Sequence, residues 1–312
     1  MQPQFTLLKC SLGGLSVGIA AAAMIIVNGR VLGISGMARA FIKGHPSKWQ
    51  AAFLCGMMCG AVFLYALLPS AFDDMPPTFT NRRATIAGTL VGVGSSLGNG
   101  CTSGHGICGI SRLSLRSTVY TITFMLSGMA SAVMSNAAQT LNVEADQAVI
   151  QAPDPISLQG CLGFIGGATI TIIGIAWAGG KAMAKWLECC SLAVDGIAGM
   201  VFAVGIGLAG MTRPAKVASF LDIWSPSWDP SLAFVMGGAI LVALPAFQCT
   251  IPSMKKKRGA PFCPALIAVV HPSRQLIAFL LGMAGGFWGH ELAERLASRL
   301  STYAGANMKP AA

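Results

Sequence analysis

The chain has 312 residues, of which 54% are hydrophobic and only 10% charged, and its mean hydropathy is +0.66. An ordinary soluble domain carries roughly a quarter charged residues, so polar side chains here are too few to cover a water-facing surface, and composition excludes a soluble globular enzyme and a disordered chain alike. The formal net charge of +10 is no pointer to nucleic acid, because the basic residues sit in short clusters between apolar runs, the pattern of membrane topology.

Roughly 20 apolar residues cross a bilayer as a helix. In chain order, candidate spans lie at residues 12–34, 49–68, 84–97, 117–134, 157–179, 192–211, 231–246 and 275–289. The run 84–97 covers only about 21 Å at 1.5 Å per residue, against a hydrocarbon core of roughly 30 Å. It is expected to stop inside the membrane as a half-helix. The first run is interrupted by Asn28-Gly-Arg-Val-Leu-Gly-Ile-Ser-Gly36, which reads as a re-entrant hairpin solvated by protein or a water-filled cavity. The N-terminal apolar stretch is read as a first span rather than a cleaved leader. The expected fold is an all-α integral membrane protein with eight or nine transmembrane or re-entrant helices.

Between the spans lie Lys43 with Lys48, Arg82 with Arg83, Arg112 with Arg116, Lys181 with Lys185, and the run Lys255-Lys-Lys-Arg258. The connector 136–155 carries Glu144, Asp146 and Asp154 and no base, so it is expected to face away from the cytoplasm, and the Lys255 run toward it. That connector divides residues 1–150 from 151–312. The tail 291–300 has acids and bases at helical spacing and reads as a surface helix. The two halves share an order of features. Gly13-Gly-Leu-Ser-Val-Gly-Ile-Ala with Asn28-Gly-Arg30 resembles Gly196-Ile-Ala-Gly-Met-Val-Phe-Ala with Met211-Thr-Arg213, and Trp49 or Trp228 opens the next run. Internal repeats with glycine-interrupted segments at matching positions indicate a transporter whose site lies near the midplane; here they predict two related, pseudo-symmetric halves.

Most of the ten cysteines fall inside apolar runs, among them Cys10, Cys55, Cys59, Cys161 and Cys249, and read as small hydrophobes. The exception is Gly98-Asn-Gly-Cys-Thr-Ser-Gly-His-Gly-Ile-Cys-Gly-Ile-Ser-Arg112. Such a glycine-rich loop after a half-helix turns successive amide N–H groups into a cavity, where they hold an anion with help from a helix start. Candidate binding residues are Gly100, Cys101, Thr102, Ser103, Gly104, His105, Gly106 and Cys108. The hydroxyls of Thr102 and Ser103 add donors, and the soft Cys101 thiol suits a terminal sulfur atom. His105 alone is more often a hydrogen-bonded structural histidine, and Cys108 also reads as packing. A tight structural turn and a soft-metal site built from Cys101, His105 and Cys108 are the competing readings. Arg30 and Arg213, at matching places in the two hairpins, are candidates for drawing an anion in, or else snorkel to the interface.

Gly98-Asn-Gly-Cys-Thr-Ser-Gly-His-Gly106 resembles the signature of the YeeE/YedE sulphur-transport family, and Cys108-Gly-Ile-Ser-Arg112 fits as well. Asn28–Gly36 resembles the first hairpin of the family's short, two-component members. Ala209-Gly-Met-Thr-Arg-Pro-Ala-Lys-Val217 and Trp228-Asp-Pro-Ser-Leu-Ala-Phe-Val-Met-Gly-Gly238 resemble the second component. The chain thus looks like both components fused. The resemblance implies inverted repeats with re-entrant hairpins and uptake of a sulfur-containing anion, thiosulfate foremost, passed along by S–H contacts. It departs from the family at 282–292, where a Phe-Cys-Pro-like motif is replaced by Gly282-Met-Ala-Gly-Gly-Phe-Trp-Gly-His-Glu-Leu292, and at Gly33-Ile-Ser35, where longer members carry a cysteine. Expected partners are thiosulfate or a related sulfur oxyanion and the lipid bilayer, with no nucleic acid and no cofactor; the plasma membrane is the expected location. The alternatives are a persulfide carrier that loads Cys101 covalently and serves a soluble sulfurtransferase, and a soft-metal transporter.

Overall fold

The computed structural model describes residues 7–72, 81–137, 155–179 and 184–258. The span expected at 275–289, the departing motif at 282–292, the tail 291–300 and most of the acidic connector lie outside the described residues. Every regular element among those described is helical: α1 (Leu7–Asn28), α2 (Ile34–Ile42), α3 (Lys48–Leu67), α4 (Asn81–Leu97), a wide π-type turn (Ser103–Gly109), α5 (Leu115–Met134), α6 (Pro155–Gly179), α7 (Ala184–Leu208), α8 (Pro214–Leu221) and α9 (Ala233–Arg258). Among the described residues six helices are long and apolar enough to cross a bilayer, and the protein is an all-α, multi-pass integral membrane protein.

Two short helices break the succession of spans, each inside a hairpin. Residues 29–33 follow α1 without helical geometry, opened by Gly29 at φ +64°. In the second half Gly210, at φ +73°, ends α7, and Pro214 sits in the first turn of α8, where a ring without an N–H costs no hydrogen bond. At α3 the Ser47 amide donates to the Gln50 side chain at 2.9 Å, closing a capping box. The helix expected at 84–97 is longer than predicted, beginning at Asn81. Asn81 and the two arginines that follow are polar, so hydropathy alone does not count them.

Helix contacts set the directions. Gly13 of α1 lies against Gly205 of α7 and Ala209 just after it, whereas Asn28 at the other end of α1 reaches Ser191 and Asp195; these two helices are antiparallel. Gly56 and Gly60 of α3 meet Gly196 and Met200 of α7, and Gly14 and Gly18 of α1 meet Val235 and Ala239 of α9; both pairs are parallel. A Cβ on Gly56 would overlap the Gly196 carbonyl, so the backbones touch, as small residues allow in membranes. Around these seams pack Val17, Met24, Phe53, Leu64, Phe202 and Phe247, all buried, with the Phe53 and Phe202 rings 5.9 Å apart. Since α1 and α3 run oppositely, and α7 and α9 likewise, the hairpin 29–47 opens on one side of the membrane and the hairpin 209–232 on the other.

Candidate functional site

The segment 98–109 is folded back on the start of α5. Gly98 sits so close to the Tyr120 ring, and Gly109 so close to Ser117, that a Cβ at either position would overlap its neighbour. Asn99 takes a left-handed conformation at φ +60°, one that asparagine tolerates better than most residues. The Tyr120 hydroxyl donates to the Gly100 carbonyl at 3.1 Å. His105 lies between, its ring 4.3 Å from that of Tyr120. Its Nε2 is 3.2 Å from the Gly98 carbonyl and its Nδ1 is 3.0 Å from Ser117 Oγ. A carbonyl only accepts, so Nε2 carries the proton and Nδ1 accepts from Ser117 in the neutral ring. Both ring nitrogens are therefore committed to holding the loop, and His105 acts on the site through its shape.

The turn lies at the depth of the spanning helices. Gly106 faces the Met236 thioether near the start of α9. The Ser111 carbonyl, one turn further along the chain, accepts from Gln248 near the far end of the same helix at 2.9 Å. Arg39, in the last turn of α2, donates to Ser96 at the end of α4 at 3.1 Å, tying the first hairpin to the helix that leads into the loop.

At the centre is Cys101. Its sulfur shares a hydrogen bond with Ser103 Oγ at 3.0 Å. It is also approached by the Ser35 hydroxyl, the Ser35 backbone amide and the Gly104 amide. Ser35 belongs to the first turn of α2 and Gly104 to the π-type turn. Two segments distant in sequence thus aim donors at one atom, and the N-terminal end of α2 adds its positive dipole. A Cβ on Gly104 would lie 3.8 Å from the Gly33 Cα, ordinary contact distance, so the turn passes close beside the first hairpin. Cys108 is buried, with the Leu32 amide on its sulfur. Thr102 opens the π-type turn, and Gly100 and Gly106 shape it.

The structure thus gathers Gly100, Cys101, Thr102, Ser103, Gly104, His105, Gly106 and Cys108 around one turn. It does not bring Arg30 or Arg213 to the Cys101 sulfur. Arg30 forms an ion pair with Asp195, a fully buried carboxylate on α7, and its guanidinium stacks 5.3 Å above the Trp49 ring. Asn28 donates to the other oxygen of the same carboxylate at 2.8 Å. Arg213 occupies the position just before α8. Among the described residues no group of three or more His, Cys, Asp or Glu side chains is placed to hold a metal ion. The sequence reading passed over two residues. Ser35 was noticed only for the cysteine it replaces. Asp195 stood unremarked in an apolar run, although an acid at that depth is by itself a sign of a partner, and Arg30 was the base available at the end of α1.

Residues 5–131 match the family described as Sulphur transport, and residues 191–302 match a family described as of unknown function (DUF6691). A probable transporter of Xylella fastidiosa strain Temecula1 is 39% identical over 121 residues, which cover 39% of this chain and 89% of that protein. A probable transporter of strain 9a5c is 37% identical over 121 residues with the same coverage. A further probable transporter of strain 9a5c is 48% identical over 48 residues, 15% of this chain and 33% of that protein. No solved structure matches. With the glycine-cysteine turn, two short helices in hairpins on opposite sides of the membrane, and a relative covered over most of its length, the chain belongs to the sulphur transport (YeeE/YedE) family of membrane transporters.

Proposed function

We propose that this transporter is a permease for a small sulfur oxyanion, thiosulfate above all, and that the ion binds where α2 meets the π-type turn. The observation that carries this reading is the convergence of the Ser35 and Gly104 amides and the Ser35 and Ser103 hydroxyls on the Cys101 sulfur. An array of N–H and O–H donors at a helix start suits oxyanion oxygens. The thiol among them is a soft, weakly donating S–H that suits a terminal sulfur. A sulfate-like ion fills the same donors without that last contact, so Cys101 is the selective element. Two halves, 1–150 and 151–312, related by inversion, fit this role. They are supported by the antiparallel α1 and α7, the exchanged parallel pairs α1–α9 and α3–α7, and hairpins entering from opposite sides.

The test is uptake of radiolabelled thiosulfate by a sulfur-starved host expressing the protein. Cys101→Ala is expected to abolish uptake, and Cys108→Ala, at a sulfur buried away from Ser35, to reduce it less. Unchanged uptake in Cys101→Ala removes the thiol from the mechanism.

A second reading has the four donors act on the sulfur itself. Cys101 would then attack the outer sulfur of thiosulfate, keep it as a persulfide and release sulfite, for later transfer to a soluble sulfurtransferase. Mass spectrometry of Cys101 after exposure to thiosulfate separates the two, since a persulfide supports the carrier and an unmodified thiol the permease.

A further inference from the structure

Cys10 reads from the sequence as a small hydrophobe in an apolar run, and the structure gives it different company. Its sulfur accepts a hydrogen bond from the Lys216 ammonium at 3.2 Å and lies 3.5 Å from Ser231 Oγ and from the Ala209 carbonyl. The contact joins α1 to α8 across 206 positions of sequence. Cys10 is 0% and Lys216 5% exposed. Ser231 in turn donates to one oxygen of Asp229 at 2.8 Å, and its amide bonds to the other at 2.9 Å; Asp229 and Asp222 are both buried. Lys9, the preceding residue of α1, lies within electrostatic reach of both Lys216 and Cys10. A buried primary amine is thus held against a thiol, with a hydroxyl and a carboxylate directly behind.

We infer that Cys10 and Lys216 form an oxidative cross-link, a covalent sulfur–nitrogen bond made when a peroxide reaches the thiol. In the first step the thiol sulfur attacks the peroxide O–O bond. It gains a hydroxyl and loses two electrons, water leaves, and Cys10 becomes a sulfenic acid. Sulfenic acids condense with nearby nitrogen nucleophiles. The Lys216 nitrogen already stands at the 3–3.5 Å separation from which bond formation proceeds without rearrangement. Once its ammonium has given up a proton, the nitrogen lone pair forms the S–N bond as the S–O bond breaks. The departing hydroxide takes a second proton and leaves as water. The acceptor for the first proton is the Asp229 carboxylate, which Ser231 Oγ links to the Cys10 sulfur that the ammonium bonds. Two equivalents of a small thiol reverse the link, restoring thiol and amine and leaving the reductant as a disulfide. The product would fasten the start of α8, the re-entrant helix of the second half, to the first span.

This inference does not rest on the transport reading, and its readout is chemical. The full-length protein, purified in detergent, is treated with hydrogen peroxide, denatured without reductant and digested. The expected result is a peptide pair joined through Cys10 and Lys216, lighter than the sum of the two by two hydrogens. Tryptic cleavage after Lys216 is lost with it, and dithiothreitol reverses both. Lys216→Arg keeps a cation but has no primary amine to form the bond, and is expected to show an oxidised, unlinked Cys10. Separate peptides from peroxide-treated wild type, whatever the oxidation state of Cys10, overturn the proposal, and so does a joined pair carrying an extra oxygen. The wild-type digest decides by itself, so a variant that fails to fold leaves the outcome intact.

Discussion

The hairpin between α1 and α3 brings the first turn of α2 to Cys101, and the hairpin between α7 and α9 brings the first turn of α8 to Cys10. Both place a helix start, a serine hydroxyl and a thiol together, from opposite sides of the membrane. Around Cys101 the donors are neutral, two amides and two hydroxyls, and the sulfur is half-buried. Around Cys10 the donor is an ammonium, and the sulfur is buried. Neutral donors can exchange a thiol for a passing anion at small electrostatic cost, because no fixed charge is stranded when the ion leaves. A buried ammonium on a buried thiol holds its partners in place and suits a structural or switchable tie. Under the two proposals, similar geometry serves binding in one half and fastening in the other.

The largest effect that would break this comparison is expected at Gly98. Gly98→Ala places a methyl group in the Tyr120 ring, which forces the loop off α5 and moves Cys101 away from Ser35. Uptake is expected to fall tenfold or more, about 1.4 kcal/mol for each factor of ten. The double variant Gly98→Ala, Tyr120→Leu, in which the ring is gone, is expected to recover part of it. Peroxide cross-linking at Cys10 should be untouched in both variants, since no contact described here joins Gly98 to the second hairpin. Loss of both activities together would mean that the two sites are one cooperative unit.

A smaller effect is expected at Asp195. Removing one partner of a buried ion pair typically costs 3–5 kcal/mol. Arg30 keeps 30% of its side-chain surface exposed and its place over Trp49, so Asp195→Ala is expected to destabilise by about 2 kcal/mol. The loss falls on the first hairpin, which Arg30 and Asn28 anchor to α7. Labelling of Cys101 by a membrane-permeant maleimide should therefore speed up while Cys10 stays protected. Equal labelling rates in variant and wild type would show that the ion pair does not hold the hairpin.

How much of this was legible beforehand differs between the two regions for a physical reason. Spans could be read because lipid imposes length and apolarity on contiguous sequence, and the loop 98–109 because its special residues are consecutive. The boundary at Asn81 was missed because the polar first turn of a helix carries no hydropathy signal. The role of Ser35 was hidden because its partner lies far along the chain, and only the folded hairpin brings its amide to Cys101. Cys10 and Lys216 are 206 positions apart, in segments whose separate readings, packing for one and family resemblance for the other, gave no reason to pair them. Arg30 reads in the sequence either as drawing in an anion or as snorkelling to the interface. The charge of Asp195, visible in the sequence but unassigned, takes that guanidinium as a fixed partner.

The smallest effect separates the two serines. Ser35→Ala removes one hydroxyl from the Cys101 sulfur and leaves both amides in place. A neutral hydrogen bond contributes about 1 kcal/mol net, so the concentration for half-maximal thiosulfate uptake is expected to rise about fivefold with maximal rate little changed. Ser231→Ala removes the hydroxyl beside Cys10 and leaves Lys216 on the sulfur. It is expected to leave that concentration where it was and to slow peroxide cross-linking, because the route for the proton to Asp229 is gone. Uptake kinetics and cross-linking rates on the same two variants thus form a crossed experiment. If Ser231→Ala shifts the uptake concentration as Ser35→Ala does, the anion passes Cys10 as well, and the second hairpin is part of the permeation path rather than its fastening.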